Sequence, residues 1–256
     1  MEKRIPVQIS QRRIWELDFW RGILVWFMVF DHIIFDLAYV FQVDATFPTF
    51  YFEWPLRNFV RMLVVLSFVL ICGISCSFSH SNRARGAKLL VVAMVLTLVT
   101  WGMDLWQGEE SRYIITFGVL HMLALSILLF ALLENRKDRR ILLWVGMPLT
   151  LLGLVFFFWE PGAPQGFSWL SMLLPMQNGI YSADYFSLLP YGGILLIGAY
   201  FGPTLYPHKK SRRPLKREPG LIRPILFTGR HALLFYLVHQ PVVLGILSLF
   251  FFLLRG

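Results

Sequence analysis

The sequence predicts an all-α polytopic membrane protein, a bundle of about seven transmembrane helices with a cytoplasmic N-terminus. Its composition is 57% hydrophobic and 15% charged, and its mean hydropathy of +0.61 lies far on the apolar side of the soluble average. Apolar runs recur along the chain at the length, about 20 residues, that crosses a bilayer. Basic residues are concentrated in alternate connections between these runs, as the positive-inside rule requires.

The candidate spans follow one another along the whole chain. The apolar runs cover residues 18–41, 59–78, 87–105, 114–133, 141–159, 185–205 and 231–254. The segment Phe167–Met176 is apolar but too short to cross, so we expect an interfacial or re-entrant segment there. No internal repeat is evident, and the pattern predicts a single domain over residues 1–256.

Charge in the connections predicts the orientation. The N-terminus and the second, fourth and sixth connections are basic, whereas the other connections are acidic. The basic positions are Lys3, Arg4, Arg12, Arg13, Arg83, Arg85, Lys88, Arg136, Lys137, Arg139, Arg140, Lys209, Lys210, Arg212, Arg213, Lys216, Arg217 and Arg223. The acidic positions are Asp44, Glu53, Glu109, Glu110, Glu160 and Asp184. We therefore expect a cytoplasmic N-terminus, a basic cytoplasmic loop at about residues 206–225 and an outside C-terminus.

The net charge of +9 follows from the same distribution. Residues that determine topology and contact anionic lipid headgroups account for most of it. A nucleic-acid-binding protein would instead need basic residues interleaved with exposed aromatic residues on a soluble face. We therefore expect membrane lipid, and not nucleic acid, as a partner.

The first span carries ionisable residues in its interior. Asp31 and His32 lie in the middle of the run over residues 17–41, Arg21 lies near its cytoplasmic end, and Asp36 lies a turn beyond the pair. Such residues are costly inside a bilayer and mark buried polar sites. His32 and Asp36 are four residues apart and share a helix face, so the carboxylate can accept a hydrogen bond from the imidazole, whereas Asp31 points about 100° away.

These polar residues could serve chemistry or only stabilise the structure, and both alternatives stay open. Asp31 and Asp36 would, as structural residues, pair with Arg57 or Arg61 at the outer end of the second span. His121, in FGVLHMLALS, is expected at a depth similar to that of His32. A histidine in a span more often stabilises packing through hydrogen bonds than performs chemistry.

Basic groups approach the cytoplasmic face from two helices. Arg21 belongs to the first span, Arg230 lies at the start of the last, and His239 lies a little over two turns into the last span. Guanidinium groups bind phosphate oxygens in bidentate fashion, although each arginine would also suit a lipid phosphate. No metal site is expected, since neither an HExxH nor a Cys–His pattern is present.

Four segments carry a resemblance to a known family. They are RIWELDFWRGILVWFMVFDHIIFD, FGVLHMLALS, ADYFSLLPYGGILLIGAYFG and GRHALLFYLVHQP. Over about residues 13–242 the chain resembles the heparan-α-glucosaminide N-acetyltransferase catalytic domain family in its small bacterial form. The resemblance implies an acetyl-CoA-dependent N-acetyltransferase that acetylates an amino sugar or cell-envelope glycan on the outer side. It also implies a multi-pass protein of a bacterial inner membrane and leaves a homo-oligomer open.

The chemistry of such an acetyl transfer gives the polar residues expected roles. His32, oriented by Asp36 or Asp31, would be the general base, and His121 would stabilise the oxyanion or be the base itself. Arg21, Arg230 and His239 would hold acetyl-CoA. Direct transfer and a ping-pong route through an acetyl-histidine both remain open.

The chain departs from larger eukaryotic family members in one respect that concerns catalysis. Those members carry a histidine thought to be catalytic in the first outward connection, and the stretch Gln42–Arg57 contains none. Two other functions remain as alternatives. One is a proton-coupled carrier that uses Asp31, His32 and His121 as a relay, and the other is an assembly protein whose polar residues only stabilise helix packing.

Overall fold

A computed structural model of the chain describes residues 13–43, 46–108, 113–159, 169–175, 182–215 and 218–255. Every regular element within these ranges is helical. Several charged residues that predict the topology lie outside the described residues: Lys3, Arg4, Arg12, Asp44, Glu109, Glu110, Glu160, Lys216 and Arg217. Residues 167, 168 and 176 of the expected interfacial segment also lie outside.

The helices follow the predicted spans in order. Helix α1 (Trp15–Phe35) continues directly into a π-helical turn, Asp36–Val40. Two 3₁₀ turns, Pro207–Lys209 and Gly220–Ile222, lie in the basic loop. The other helices are α2 (Thr46–Glu53), α3 (Pro55–Cys76), α4 (Asn82–Gln107), α5 (Val119–Leu133), α6 (Ile141–Trp159), α7 (Leu170–Leu173), α8 (Tyr191–Leu205), α9 (Arg223–Arg230) and α10 (Ala232–Arg255).

Five helical segments within the described ranges are long and apolar enough to cross a membrane. They are Trp15–Val40, Pro55–Cys76, Asn82–Trp106, Ile141–Trp159 and Ala232–Leu254. Their outward faces remain apolar, as in Leu98 and Phe252, which are 59% and 75% exposed. Such faces are typical of helices that contact lipid, because the acyl chains cover them.

The predicted fourth and sixth spans differ from the structure. Helices α5 and α8 have 15 residues each, about 22 Å at 1.5 Å per residue, which is shorter than the bilayer core. They begin at Val119 and Tyr191, later than predicted; Gly118, in extended conformation, is the N-cap of α5, and Pro190 directly precedes α8. The all-helical membrane fold is confirmed, whereas the count of seven spans and the orientation stay predictions.

The chain divides into two compact units, and the expectation of a single domain remains untested. The first unit is Met1–Phe68 with Tyr206–Gly256, and the second is Val69–Leu205. In the first unit, α1 packs against both α9 and α10. A side chain at Gly22 of α1 would overlap the carbonyl of Ile225 in α9, so glycine allows the two backbones to touch.

In the second unit, α4 packs on α5, and α8 packs on α5 and α6. A proline in α8 explains the contact between Arg139 and the carbonyl oxygen of Ala199. Pro203 within α8 has no N–H to donate to the carbonyl of Ala199, four residues earlier. Arg139 donates its Nη2 to that carbonyl oxygen at 2.7 Å, and so supplies the missing donor from the connection before α6.

Candidate active site

His32 lies half-buried on α1 with its ring orientation set by its own helix. Its Nδ1 lies 2.8 Å from the carbonyl oxygen of Met28. A carbonyl oxygen only accepts hydrogen bonds, so Nδ1 carries a proton, and the neutral form of the ring presents its lone pair at Nε2. The imidazole is therefore held in the tautomer that can accept a proton at Nε2.

His239 of α10 lies against His32. The ring centroids are 4.8 Å apart with an interplanar angle of 81°, and His239 Nδ1 lies 2.7 Å from the carbonyl oxygen of Tyr236. From its position in the sequence, His239 is expected with the arginines at the cytoplasmic end. In the structure it belongs instead to the histidine pair between α1 and α10.

Asp36 completes this polar cluster together with Gln240. The Asp36 side chain is fully buried, and Gln240 Nε2 donates to its Oδ1 at 2.8 Å. Asp36 lies four residues after His32 on the same helical segment. The hydrogen bond expected between His32 and Asp36 is replaced, since the imidazole bonds to Met28 and the carboxylate to Gln240.

The backbone changes its pitch at the same point. Asp36 is the first residue of the π-helical turn, and the N–H of Phe41 donates to the Asp36 carbonyl at 2.9 Å. A π turn inside an α-helix is often found at functional sites, because the wider turn displaces side chains from their regular positions. His32, Asp36, His239 and Gln240, hereafter the polar cluster, thus lie where α1 changes to π geometry.

Asp31 faces a different set of partners. Arg57 Nε and Nη2 donate to its two carboxylate oxygens at 3.0 and 2.8 Å, and Tyr51 Oη donates at 3.0 Å. Burial, and then the negative charge of Asp31, raise the pKa of Tyr51. The structural alternative considered for Asp31 is therefore realised with Arg57, whereas Asp36 pairs with Gln240 and not with an arginine.

Arg21 and Arg230, the two arginines predicted at the cytoplasmic end, both pair with the carboxylate of Asp18. Arg21 Nη1 lies 3.1 Å from Asp18 Oδ1, and Arg230 Nε lies 3.7 Å from Asp18 Oδ2. Arg230 also pairs with Glu218, and this hydrogen bond is the main cause that raises the pKa of Arg230. We call these four residues the ion-pair cluster; its two positive and two negative charges balance.

His121 belongs to the second unit, where it caps α5. The N–H of Gly118 donates to its Nδ1 at 3.3 Å, so the ring proton is on Nε2, which donates to Thr97 Oγ1 at 3.2 Å. Thr97 in turn donates to the carbonyl of Ile115 at 2.6 Å. Both ring nitrogens of His121 thus take part in a hydrogen-bonded chain that stabilises the start of the helix.

The described residues show no group of three or more His, Cys, Asp or Glu side chains that could hold a metal ion.

Comparison with known proteins decides the family. The family described as "Heparan-alpha-glucosaminide N-acetyltransferase, catalytic" matches residues 13–241, most of the chain. The chain belongs to this family. The resemblance carried by the four segments is thereby confirmed. Searches of curated proteins and of solved structures gave no match.

In this member of the heparan-alpha-glucosaminide N-acetyltransferase family, three side chains of the two clusters were not predicted from the sequence. Gln240 directly follows His239 in an apolar run, and two consecutive polar residues there were the available signal. Asp18 precedes Arg21 by three residues, the spacing of a helical ion pair. Glu218 lies in the basic loop, and no local pattern connects it to Arg230.

Proposed function

We propose that this protein transfers an acetyl group from cytoplasmic acetyl-CoA to an amino sugar or envelope glycan on the outer side of the membrane. The match of the catalytic-domain family over residues 13–241 is the observation that carries the proposal. It favours a transferase over a proton-coupled carrier. The apolar helices that are long enough to cross a membrane support a membrane-embedded site.

His32 is the general base in this proposal. The acceptor nitrogen attacks the thioester carbonyl, a C–N bond forms and the C–S bond breaks. The proton lost by the acceptor nitrogen goes to His32 Nε2, and the imidazolium then passes it to the departing thiolate of CoA. The hydrogen bond from Nδ1 to Met28 supports this role, because it leaves the Nε2 lone pair available.

We assign His121 to the support of α5. Both of its ring nitrogens are occupied by Gly118 and Thr97, so proton transfer would first require these bonds to break. Asp31 is likewise assigned to structure, because its carboxylate oxygens are bound by Arg57 and Tyr51. Of the residues predicted for the site, His32, Asp36 and His239 are the ones that we retain as candidates for a role in acetyl transfer.

The test uses purified protein, radiolabelled acetyl-CoA and a panel of amino sugars. We expect labelled N-acetyl product from wild type and a loss of about 10²- to 10⁴-fold in kcat for His32→Gln. His231→Gln is the matched control, because its Nδ1 also bonds the carbonyl four residues earlier, at Phe227, but its side chain is exposed. Absence of transfer to every acceptor refutes the proposal, and equal rates for His32→Gln and His231→Gln refute the role of His32.

The ion-pair cluster is proposed to bind the phosphate groups of the donor. Arg21 and Arg230 fit phosphate chemically, but Asp18 and Glu218 already neutralise them. Donor phosphates would therefore replace these carboxylates. We expect Arg230→Ala to weaken CoA binding about 10-fold, the value of one charge-assisted hydrogen bond.

Glu218→Gln provides the opposite perturbation at the same place. It removes the competing charge but keeps a side chain of similar shape, so CoA binding should become tighter by a few-fold. Calorimetric titration of the detergent-solubilised protein with CoA measures both variants. Unchanged affinity in both would show that the phosphates bind elsewhere.

A further inference from the structure

The polar cluster contains two oxygen atoms that accept no hydrogen bond from any described residue. They are Asp36 Oδ2 and Gln240 Oε1, and each atom is inaccessible to solvent. The only donor atom that these two side chains possess, Gln240 Nε2, directs one of its two N–H groups to Asp36 Oδ1. The pair thus offers two further acceptor atoms that neither side chain satisfies.

This arrangement is unfavourable unless a donor arrives. A buried acceptor without a partner costs about 1–3 kcal/mol, and more when it is charged. The cost is greater within a span, where water cannot substitute. Asp36 has no exposed surface, and it lies in a helical segment that is long and apolar enough to cross a membrane. Groups of this kind mark binding sites for substrates or ions more often than they mark packing.

A third acceptor lies in the same cluster. His32 presents the lone pair of Nε2, since its Nδ1 donates to the carbonyl oxygen of Met28, and it lies four residues before Asp36 on the same helical segment. Three acceptors together, one of them a carboxylate oxygen, suit a ligand group rich in N–H or O–H. They would repel a phosphate or a carboxylate. A primary ammonium group carries three N–H donors and a positive charge, so it matches this set in number and sign.

We propose that Asp36 and Gln240 form the binding site for the acceptor, and that they hold its amino group as the ammonium ion beside His32. This inference rests on the proposed function. The ammonium ion first gives one proton to His32 Nε2, which leaves a neutral amine still hydrogen-bonded to Asp36 and Gln240. That amine is the species that attacks the thioester. His32 passes its proton to the departing thiolate of CoA and then takes the second proton, which the nitrogen loses as the amide forms. Asp36 and Gln240 therefore select an amine and position it, and His32 removes its proton.

One arrangement would satisfy both oxygens without any ligand. If Asp36 were protonated, its Oδ2–H could donate to Gln240 Oε1, and the pair would then be purely structural. Asp36→Asn distinguishes the two cases. An Asn side chain can supply the same N–H donor to Gln240 from nearly the same position, but it has no negative charge with which to bind an ammonium group.

The experiment measures binding of radiolabelled glucosamine to the full-length protein in detergent by scintillation proximity, without acetyl-CoA. We expect saturable binding by wild type that unlabelled glucosamine displaces and glucose does not. Asp36→Asn and Gln240→Leu should each weaken it at least 10-fold. Ser248→Ala, at an exposed polar position further along α10, should bind as wild type does. A single symmetric peak in size-exclusion chromatography shows that each variant is folded.

Three outcomes overturn the inference: no saturable binding by wild type, equal displacement by glucose, or unchanged binding in folded Asp36→Asn. The acetyl-transfer assay separates this inference from the proposed function. An active transferase whose KM for the amine is unchanged in Asp36→Asn and Gln240→Leu refutes only the inference. Amine binding that depends on Asp36, in a protein that transfers no acetyl group, refutes only the proposed function.

Discussion

The pair between Asp31 and Arg57 predicts a large and specific loss of stability when Arg57 is replaced by Met. The guanidinium meets the carboxylate through two hydrogen bonds of 3.0 and 2.8 Å. Its carbon also lies 4.5 Å from the ring centroid of Phe52. Methionine keeps the long apolar stem but removes the charge, so Asp31 is left with the single bond from Tyr51.

The size of the expected loss in the free energy of unfolding follows from the burial of Asp31 and Arg57. Removing one partner of a buried ion pair costs about 3–5 kcal/mol, because the remaining charge stays in a medium of low dielectric constant. The side chains of Arg57 and Asp31 are 9% and 22% exposed. Because Asp31 retains some exposure and one hydrogen bond, we expect a loss near the lower limit, about 3 kcal/mol in the free energy of unfolding. Asp31→Asn in the Arg57→Met background removes the unpaired charge, and should recover about 2 kcal/mol.

Reversible unfolding by SDS in mixed micelles, followed by circular dichroism, measures these free energies. Arg61→Met is the control, since Arg61 is exposed on the same helix, and should change stability by less than about 0.5 kcal/mol. Stability of Arg57→Met within 0.5 kcal/mol of wild type would refute the reasoning. So would a double variant that is no more stable than Arg57→Met.

Three further predictions concern packing and helix ends. Gly22→Leu should prevent α1 from packing on α9, because a side chain there would overlap the backbone of Ile225. The variant should therefore lose the monodisperse peak in size-exclusion chromatography. Gly245→Ala should keep that peak, because Gly245 has open space around it. Arg139→Ala should lower the free energy of unfolding by about 1–3 kcal/mol, because the carbonyl oxygen of Ala199, which receives no hydrogen bond from Pro203, then also loses the one from Arg139. Arg139→Lys should recover part of the loss. Equal stability of wild type and both variants would contradict this reasoning. His121→Leu should also lower the free energy of unfolding by about 1–3 kcal/mol, but it should leave kcat per folded molecule unchanged. A fall in kcat comparable to that of His32→Gln would show that His121 takes part in catalysis.

Periodic and compositional signals predicted the helices well but their ends less well. The fifth run was placed at residues 141–159, and α6 occupies Ile141–Trp159. The fourth run was placed five residues too early, because hydropathy continues through residues 114–118 whereas the first helical turn needs the cap at Gly118. The π turn at Asp36 had no signal at all, since neither proline nor glycine marks it.

The sequence alone determined that the protein is helical and apolar enough for a membrane, that polar groups interrupt its first span, and that it resembles an acetyltransferase family. These properties depend on composition, hydropathy and local motifs, which can be seen in consecutive residues. Only the tertiary structure decided which polar groups meet. Asp31 pairs with Arg57 rather than orienting His32, Asp36 pairs with Gln240, and His239 lies against His32. Each of these contacts joins residues 26 or more positions apart, and the packing of α1 against its neighbours brings them together.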